Sequence, residues 1–242
     1  MRLFLVAGIV FSTGVANSFP IVTSFEPPKW VPGPANQNGW SDSSGGKGYT
    51  VDNTFARTGT QSIKWDGVAG GIHLFPPAFG VSGITVTSNV SVYIESEGTS
   101  WHRHGLGAYA RGGGFFGWIG FQPNGEVWTD SQQTGWHYTG IIIDNPMGRW
   151  TEVSLIIDVN KGGSITGSVD GIPVNIGKVL GANPILDHIA IQSNCIGNGG
   201  TVFFDDYIAV PEPFSALAIG TGLALMAVRR RLCFRADRPG RA

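Results

Sequence analysis

The 242-residue chain predicts an all-β fold, a two-sheet antiparallel β-sandwich of the jelly-roll type. Three observations predict it. Turn formers are abundant, with 37 glycines and 14 prolines. Between them lie short runs of β-branched and aromatic residues, recurring about every ten residues. No stretch between the two termini holds a helical period over three turns.

Taken in order, the chain opens with a small basic start, Met1-Arg2, and an apolar run from Leu3 to Phe11, followed by small residues. This is the pattern of a secretory signal peptide over residues 1–18, with Ala16 or Ser18 as cleavage points, and it predicts a signal helix that is removed. The body, residues 19–209, then reads as one domain, long enough to bury a core without staples. Ile84–Ile94 alternates apolar and polar residues at period two, with an interruption at Ser88-Asn89. Phe116–Phe121 and Glu126–Thr129 flank Asn124-Gly125, a hairpin signal. Trp150–Val159 reads as a strand with one buried face. Ile165–Val169 and Ile172–Ile176 flank Asp170-Gly171, where a tight turn needs positive φ at both central residues. Ile185–Gln192 and Val202–Val210 complete the sheet system.

The chain ends differently. Pro211-Glu212-Pro213 precedes an uncharged run of 15 residues, Phe214–Val228, and then Arg229-Arg230-Arg231. At ~1.5 Å per residue the run spans about 22 Å as a helix, against ~30 Å for a bilayer core. Flanking residues and snorkelling arginines make up the difference. It therefore reads as a single transmembrane helix with the arginines on the cytoplasmic side. These residues, in this order, resemble the PEP-CTERM sorting signal of Gram-negative bacteria. The resemblance implies a sorting signal over residues 210–231, the Sec machinery and an exosortase as partners, transient anchoring in the inner membrane and release to the cell surface or outside. The family ends at its arginines. Here residues 232–242 continue as a basic cytoplasmic tail.

Between Phe19 and Val210 nine Lys and Arg residues face fifteen Asp and Glu, leaving the body at −6 although the whole chain carries −1. An acidic body excludes nucleic acid and anionic lipid as electrostatic partners. Of the two cysteines, Cys233 lies beyond the arginines, so Cys195 stands alone in the body and reads as a small core residue.

Phe25-Glu26, Gly59 to Lys64 and Phe204 to Ile208 frame the body. They resemble jelly-roll carbohydrate-binding modules and concanavalin A-like domains, and Gly148-Arg149-Trp150 with Val169-Asp170-Gly171 is similar to the laminin-G side of that group. The resemblance implies a structural calcium at Glu26 with Asp205 or Asp206, since Ca²⁺ takes hard oxygen ligands. Adjacent carboxylates on a regular strand point to opposite sides, so one of the two would serve. It also implies a glycan ligand. Trp101, Trp118, Trp128 and Trp136 fall in the Gly-rich middle and are the candidate stacking residues for sugar rings, with aromatic core as the other reading. Period two places Phe116 and Trp118 on one face of their strand and Phe115, Ile119 and Phe121 on the other.

Catalytic patterns are sparse. Glu95 and Glu97 alternate at a strand end but lack a third acidic partner, and glycoside hydrolysis needs two correctly spaced carboxyls. His102 and His104 flank Arg103 and offer two imidazoles for zinc in an extended segment. No nucleophile elbow, phosphate loop or zinc-protease signature occurs. The sequence therefore leads to an exported, non-catalytic protein that binds or organises extracellular polysaccharide. A structural or adhesive surface protein without a small ligand, and a glycan-cleaving hydrolase or lyase, are the alternatives.

Overall fold

The computed structural model describes residues 20–46, 48–67, 70–96, 102–195 and 200–212. The expected signal helix, Trp101, Glu97, Pro213, the apolar run and Arg229–Arg231 lie outside these residues. Within them sixteen strands occur. The first six are short: β1 (Ile21–Thr23), β2 (Gly33–Pro34), β3 (Ser41–Asp42), β4 (Tyr49–Asp52), β5 (Ser62–Asp66) and β6 (Gly70–Phe75). Then come β7 (Thr85–Ile94), β8 (His102–Ala110), β9 (Phe115–Phe121), β10 (Glu126–Ser131) and β11 (His137–Ile142). The last five are β12 (Trp150–Asp158), β13 (Ser164–Val169), β14 (Ile172–Lys178), β15 (Leu186–Cys195) and β16 (Thr201–Pro211).

They form two antiparallel sheets. The first runs β14-β13-β12-β7-β16-β5-β4-β2, with β1 added to β16, and the second runs β11-β10-β9-β8-β15-β6-β3. Consecutive strands pair in the hairpins, whereas β7–β16 and β8–β15 join segments about a hundred residues apart. Long connections of that kind are what a sandwich needs to bring its two ends into the sheet centres.

The core lies between the sheets. Val86, Val90, Val92 and Ile94 of β7 face Leu106 and Ala108 of β8 and Ile119 and Phe121 of β9 within one buried cluster. Ser88, the apparent interruption in β7, is itself an inward residue, fully buried, and its hydroxyl donates to the Ile208 carbonyl at 2.8 Å. Alternation is thus unbroken, and its one polar inward position is satisfied by a backbone carbonyl next to the bulge in β16. The Asp170-Gly171 turn has φ of 54° and 75°, as a type I′ turn requires.

Two placements differ from expectation. A register shift between Ala108 and Tyr109 sets Phe115 beside Tyr109 and sends Phe116 into the core, while Trp118 leaves it. One extra residue in the strand inverts the period-two assignment ahead of it. His102 and His104 both point inward and are fully buried, under Trp65. Their rings hydrogen-bond each other, and His104 Nδ1 lies 3.1 Å from Ser193 Oγ. Strand alternation puts residues i and i+2 on one face. That face is the core, where the pair is a partnered polar contact with no outside access for zinc.

Candidate functional site

The outer face of the second sheet carries the chemistry. Alternate residues of each strand project from it: His73 from β6, Gln192 and Asn194 from β15, Arg103 and Tyr109 from β8, Trp118 from β9, Trp128 and Asp130 from β10. Between them Gly105 lies opposite Gly120 and Gln192, and Gly107 opposite Trp118 and Ala190, making a floor with little side chain. The crowding is real. A Cβ on Gly107 would stand 2.3 Å from Gln192 Oε1, 3.1 Å from Tyr109 Cε2 and 3.2 Å from Trp118 Cδ1. Any side chain there would displace Gln192 from the groups that converge above it.

One half of the face is a neutral acid–base cluster. Tyr109 Oη donates to Gln192 Oε1 at 2.7 Å, so the carboxamide presents its NH2 as a donor. The His73 and Phe75 rings each lie 5.2 Å from the Tyr109 ring and 5.5 Å from each other. Burial pushes the His73 imidazole below its ordinary value, with Asp42 opposing, so it is neutral at neutral pH. Burial, reinforced by the charge of Asp130, pushes the Tyr109 phenol far up, so it keeps its proton. Next to this cluster, Asn194 Nδ2 and Trp118 Nε1 are buried donors without a protein partner among the described residues. Unpartnered buried donors cost about 1–3 kcal/mol each and are what a ligand's oxygens would satisfy.

The other half is an aromatic clamp on a cation. The Arg103 guanidinium sits 3.7 Å from the Trp128 ring centre and 4.8 Å from that of Trp136. In the amide orientation the network requires, Gln122 accepts from Arg103 Nε and Trp128 Nε1, both at 3.0 Å. Trp136 is 43% exposed and packs edge-on against Trp118, whose ring is fully buried beneath it. Tyr138 extends the surface, 5.6 Å from Trp128. Asp130 flanks Arg103. Burial raises its carboxyl above the ordinary range, and the nearby guanidinium opposes that rise. Glu126, also near Arg103, accepts from Trp128 Nε1 at 3.0 Å.

The structure thus brings Trp118, Trp128 and Trp136 to one face of the sheet, with Trp118 buried beneath Trp136. The expected calcium ligands Glu26, Asp205 and Asp206 all bond to one loop, residues 57–61. The Glu26 carboxylate accepts from the Thr60 and Gln61 amides at 2.8 and 2.9 Å and from the Thr60 hydroxyl at 2.8 Å. Asp205 is fully buried and accepts from the Arg57 and Thr58 amides at 2.9 and 3.0 Å and from the Asp206 amide at 2.8 Å. Asp206, at φ 51°, accepts from the Thr58 hydroxyl at 2.6 Å and pairs with Arg57. Because β16 bulges here, both aspartates serve the same 57–58 loop and do not point to opposite sides. These oxygens are occupied by N–H and O–H donors. No group of three or more His, Cys, Asp or Glu is arranged for a metal among the described residues.

Cys195 is buried in β15, as expected of a small core residue. Glu95 is exposed at the end of β7. Pro211 closes β16 opposite Val86, and Glu212 Oε1 accepts from Thr87 Oγ1 at 2.9 Å, so the first two residues of the Pro-Glu-Pro motif belong to the folded body. Sequence reasoning missed His73, Tyr109, Gln192, Asn194 and Asp130. One signal was available: Arg103-x-Gly105-x-Gly107-x-Tyr109 alternates polar and glycine positions at period two.

No family model and no curated protein sequence matches this chain. Solved structures do. The chain is similar to an endo-β-1,4-glucuronan lyase from the fungus Trichoderma reesei, at 13% identity and a TM-score of 0.53, covering 79% of this chain and 94% of that one. It is similar to an alginate lyase from Pseudomonas aeruginosa, at 14% identity and a TM-score of 0.51, covering 66% and 86%. At such identities the likeness establishes the fold, and the chain shares the β-sandwich of these carbohydrate-active proteins.

Proposed function

We propose that this is an exported protein that binds polysaccharide along the outer face of its second sheet. One observation carries the reading. Trp136, Trp128 and Trp118 share a glycine-floored face with Arg103, Gln192, Asn194, Tyr109 and His73. A sugar ring offers an apolar C–H face to an indole and hydroxyls to amide, guanidinium and phenol groups, and this surface supplies both. The face is not a polyanion trap, because Asp130 and Glu126 offset its cation Arg103. Export rests on the apolar N-terminus, the Pro-Glu-Pro motif, the uncharged run and the arginines. They support Sec export, a membrane-anchored stage, exosortase processing and a final place at or beyond the cell surface.

A second reading, cleavage by β-elimination, is favoured by the His73–Tyr109–Gln192 cluster. Elimination needs a base for the proton beside the sugar carboxylate, a donor to that carboxylate and an acid for the leaving oxygen. Neutral His73 would take the proton, and the Gln192 and Asn194 amides would hold the carboxylate. The C–O bond at the neighbouring carbon then breaks, the Tyr109 phenol protonates the departing oxygen, and a C=C bond remains. By name both similar structures are lyases. Hydrolysis has no such support: Glu126 and Asp130 stand four residues apart on β10, about 13 Å, beyond the ~6.5–9.5 Å that inversion uses.

A glycan array combined with ultraviolet detection of unsaturated products tests both readings. Binding without product supports the first. Product that disappears in Tyr109→Phe supports the second. Neither binding nor product, with the protein folded, refutes both and leaves a structural or adhesive surface role.

A further inference from the structure

We infer that, while its C-terminal span is in the membrane, the body stands directly on the bilayer. The contact surface is the end of the sandwich formed by Asp158–Gly163, Val179–Ile185 and the two chain termini, and its partner is the lipid headgroup layer. This rests on the reading of Phe214–Val228 as a membrane span.

The argument begins at Glu212. β16 lies inside its sheet, between β7 and β5, and is paired through Pro211; Glu212 is bonded to Thr87. Two residues later the apolar run starts at Phe214. At ~3.5 Å per residue, Glu212 lies within about 7 Å, and the end of the sheet within about 10 Å, of the first membrane residue. A headgroup layer is itself roughly 5–7 Å thick on each side of the hydrocarbon. No linker is left over which the body could swing clear. The N-terminus leaves from the same end, because β1 runs antiparallel to β16 with Ile21 opposite Ala209.

The loops at this end can be traced across both sheets. Asp158 pairs with Thr85 at the start of β7. Gly83 donates to the Val159 carbonyl, and Gly162 donates to that of Val179. Val81 bridges to Leu186 at the start of β15, and Arg111 after β8 donates to the Ile185 carbonyl. Leu180, 43% exposed, projects here with the exposed Lys161, Lys178 and Ala182. An exposed leucine between lysines suits an interface where apolar atoms dip and ammonium groups meet phosphate. Asp158 and Glu212 keep the end near neutral, so contact is enforced by the short tether more than by charge. The glycan face lies on the side of the sandwich. A chain crossing its strands would run along the membrane, with Asn124 and the 170–171 turn pointing away from it.

The experiment uses the full chain, with Cys233→Ser, in nanodiscs of phosphatidylcholine and phosphatidylglycerol. Asn183→Cys and Asn124→Cys are each labelled with a small fluorophore, and quenching by headgroup-labelled lipid is measured. Several-fold stronger quenching at position 183 than at 124 is expected. Inserting ten Gly/Ser residues between Glu212 and Pro213 should erase the difference. Equal, weak quenching at both positions in a protein that floats with lipid overturns the docking geometry while the span survives. Failure to float with vesicles overturns the span, and the docking with it.

Discussion

Replacing Gly107 by alanine tests the site more cleanly than removing any ring. The backbone at Gly107 is not in the left-handed region, so alanine is tolerated locally and even reduces the entropy of the unfolded chain. The added methyl would meet Gln192 Oε1 at 2.3 Å, the far end of a flexible side chain. Gln192 must move, and its 2.7 Å bond from Tyr109 goes with it. One neutral hydrogen bond is worth about 0.5–1.5 kcal/mol and the glycine replacement returns about 0.4–1 kcal/mol, so net stability should change by less than ~1 kcal/mol. Binding should suffer more. A methyl on the floor crowds the ligand and the displaced amide no longer presents its donors, a loss of about 1–3 kcal/mol, or roughly 10- to 100-fold in Kd. Isothermal titration against the glycan found on the array, with thermal unfolding alongside, gives both numbers. Unchanged affinity in a protein of unchanged Tm would mean that no ligand lies over Gly107. Gly105→Ala is the contrasting control, because its methyl would meet the Ile119 backbone carbonyl at 2.0 Å and should destabilise the sheet itself.

Further outcomes follow from the same geometry. Trp128→Ala should weaken binding at least tenfold by freeing Arg103 from its clamp, read by the same titration. Asp205, raised to about 6 by burial from 3.8, binds its proton more tightly folded than unfolded. Stability attributable to it should therefore fall by about 3 kcal/mol as pH rises from about 4 to 6. Denaturant unfolding of Asp205→Asn should lack that component; an identical slope in both proteins would refute the assignment. His102, lowered to about 4 by burial, acts oppositely. It stays neutral when folded, so stability should drop as pH falls from 6.5 towards 4, and His102→Gln should blunt that drop in the same titration. Because Glu26, Asp205 and Asp206 spend their oxygens on amides and hydroxyls, the Tm in EDTA should match that in calcium, by calorimetry.

The hairpins were legible in the sequence because their causes are local. Asp170-Gly171 announces its turn through the positive φ both residues take, Gly125 does so alone at the end of the 122–125 loop, and Trp150–Asp158 announces its buried face by alternation. Strand β8 was not legible. His102-Arg103-His104-Gly105 reads as polar and flexible, and it is a central strand only because β9 and β15 hydrogen-bond both its edges. The tryptophans were found because aromatic residues stand out in a glycine-rich stretch. Their partners were not, because His73, Tyr109 and Gln192 come from three strands spread over about 120 residues.

By itself, then, the sequence determined what is written in nearest-neighbour chemistry: a β-rich body, its turns, an acidic surface and two apolar ends. Tertiary structure decided which way each alternating strand faces. It sent His102 and His104 inward and Arg103 and Tyr109 outward, and committed Asp205 and Asp206 to a loop. The physical reason is that a strand's two faces are distinguished only by what packs against them. One bulge, at Asp206 or beside Phe115, exchanges core for surface without any mark in the local sequence.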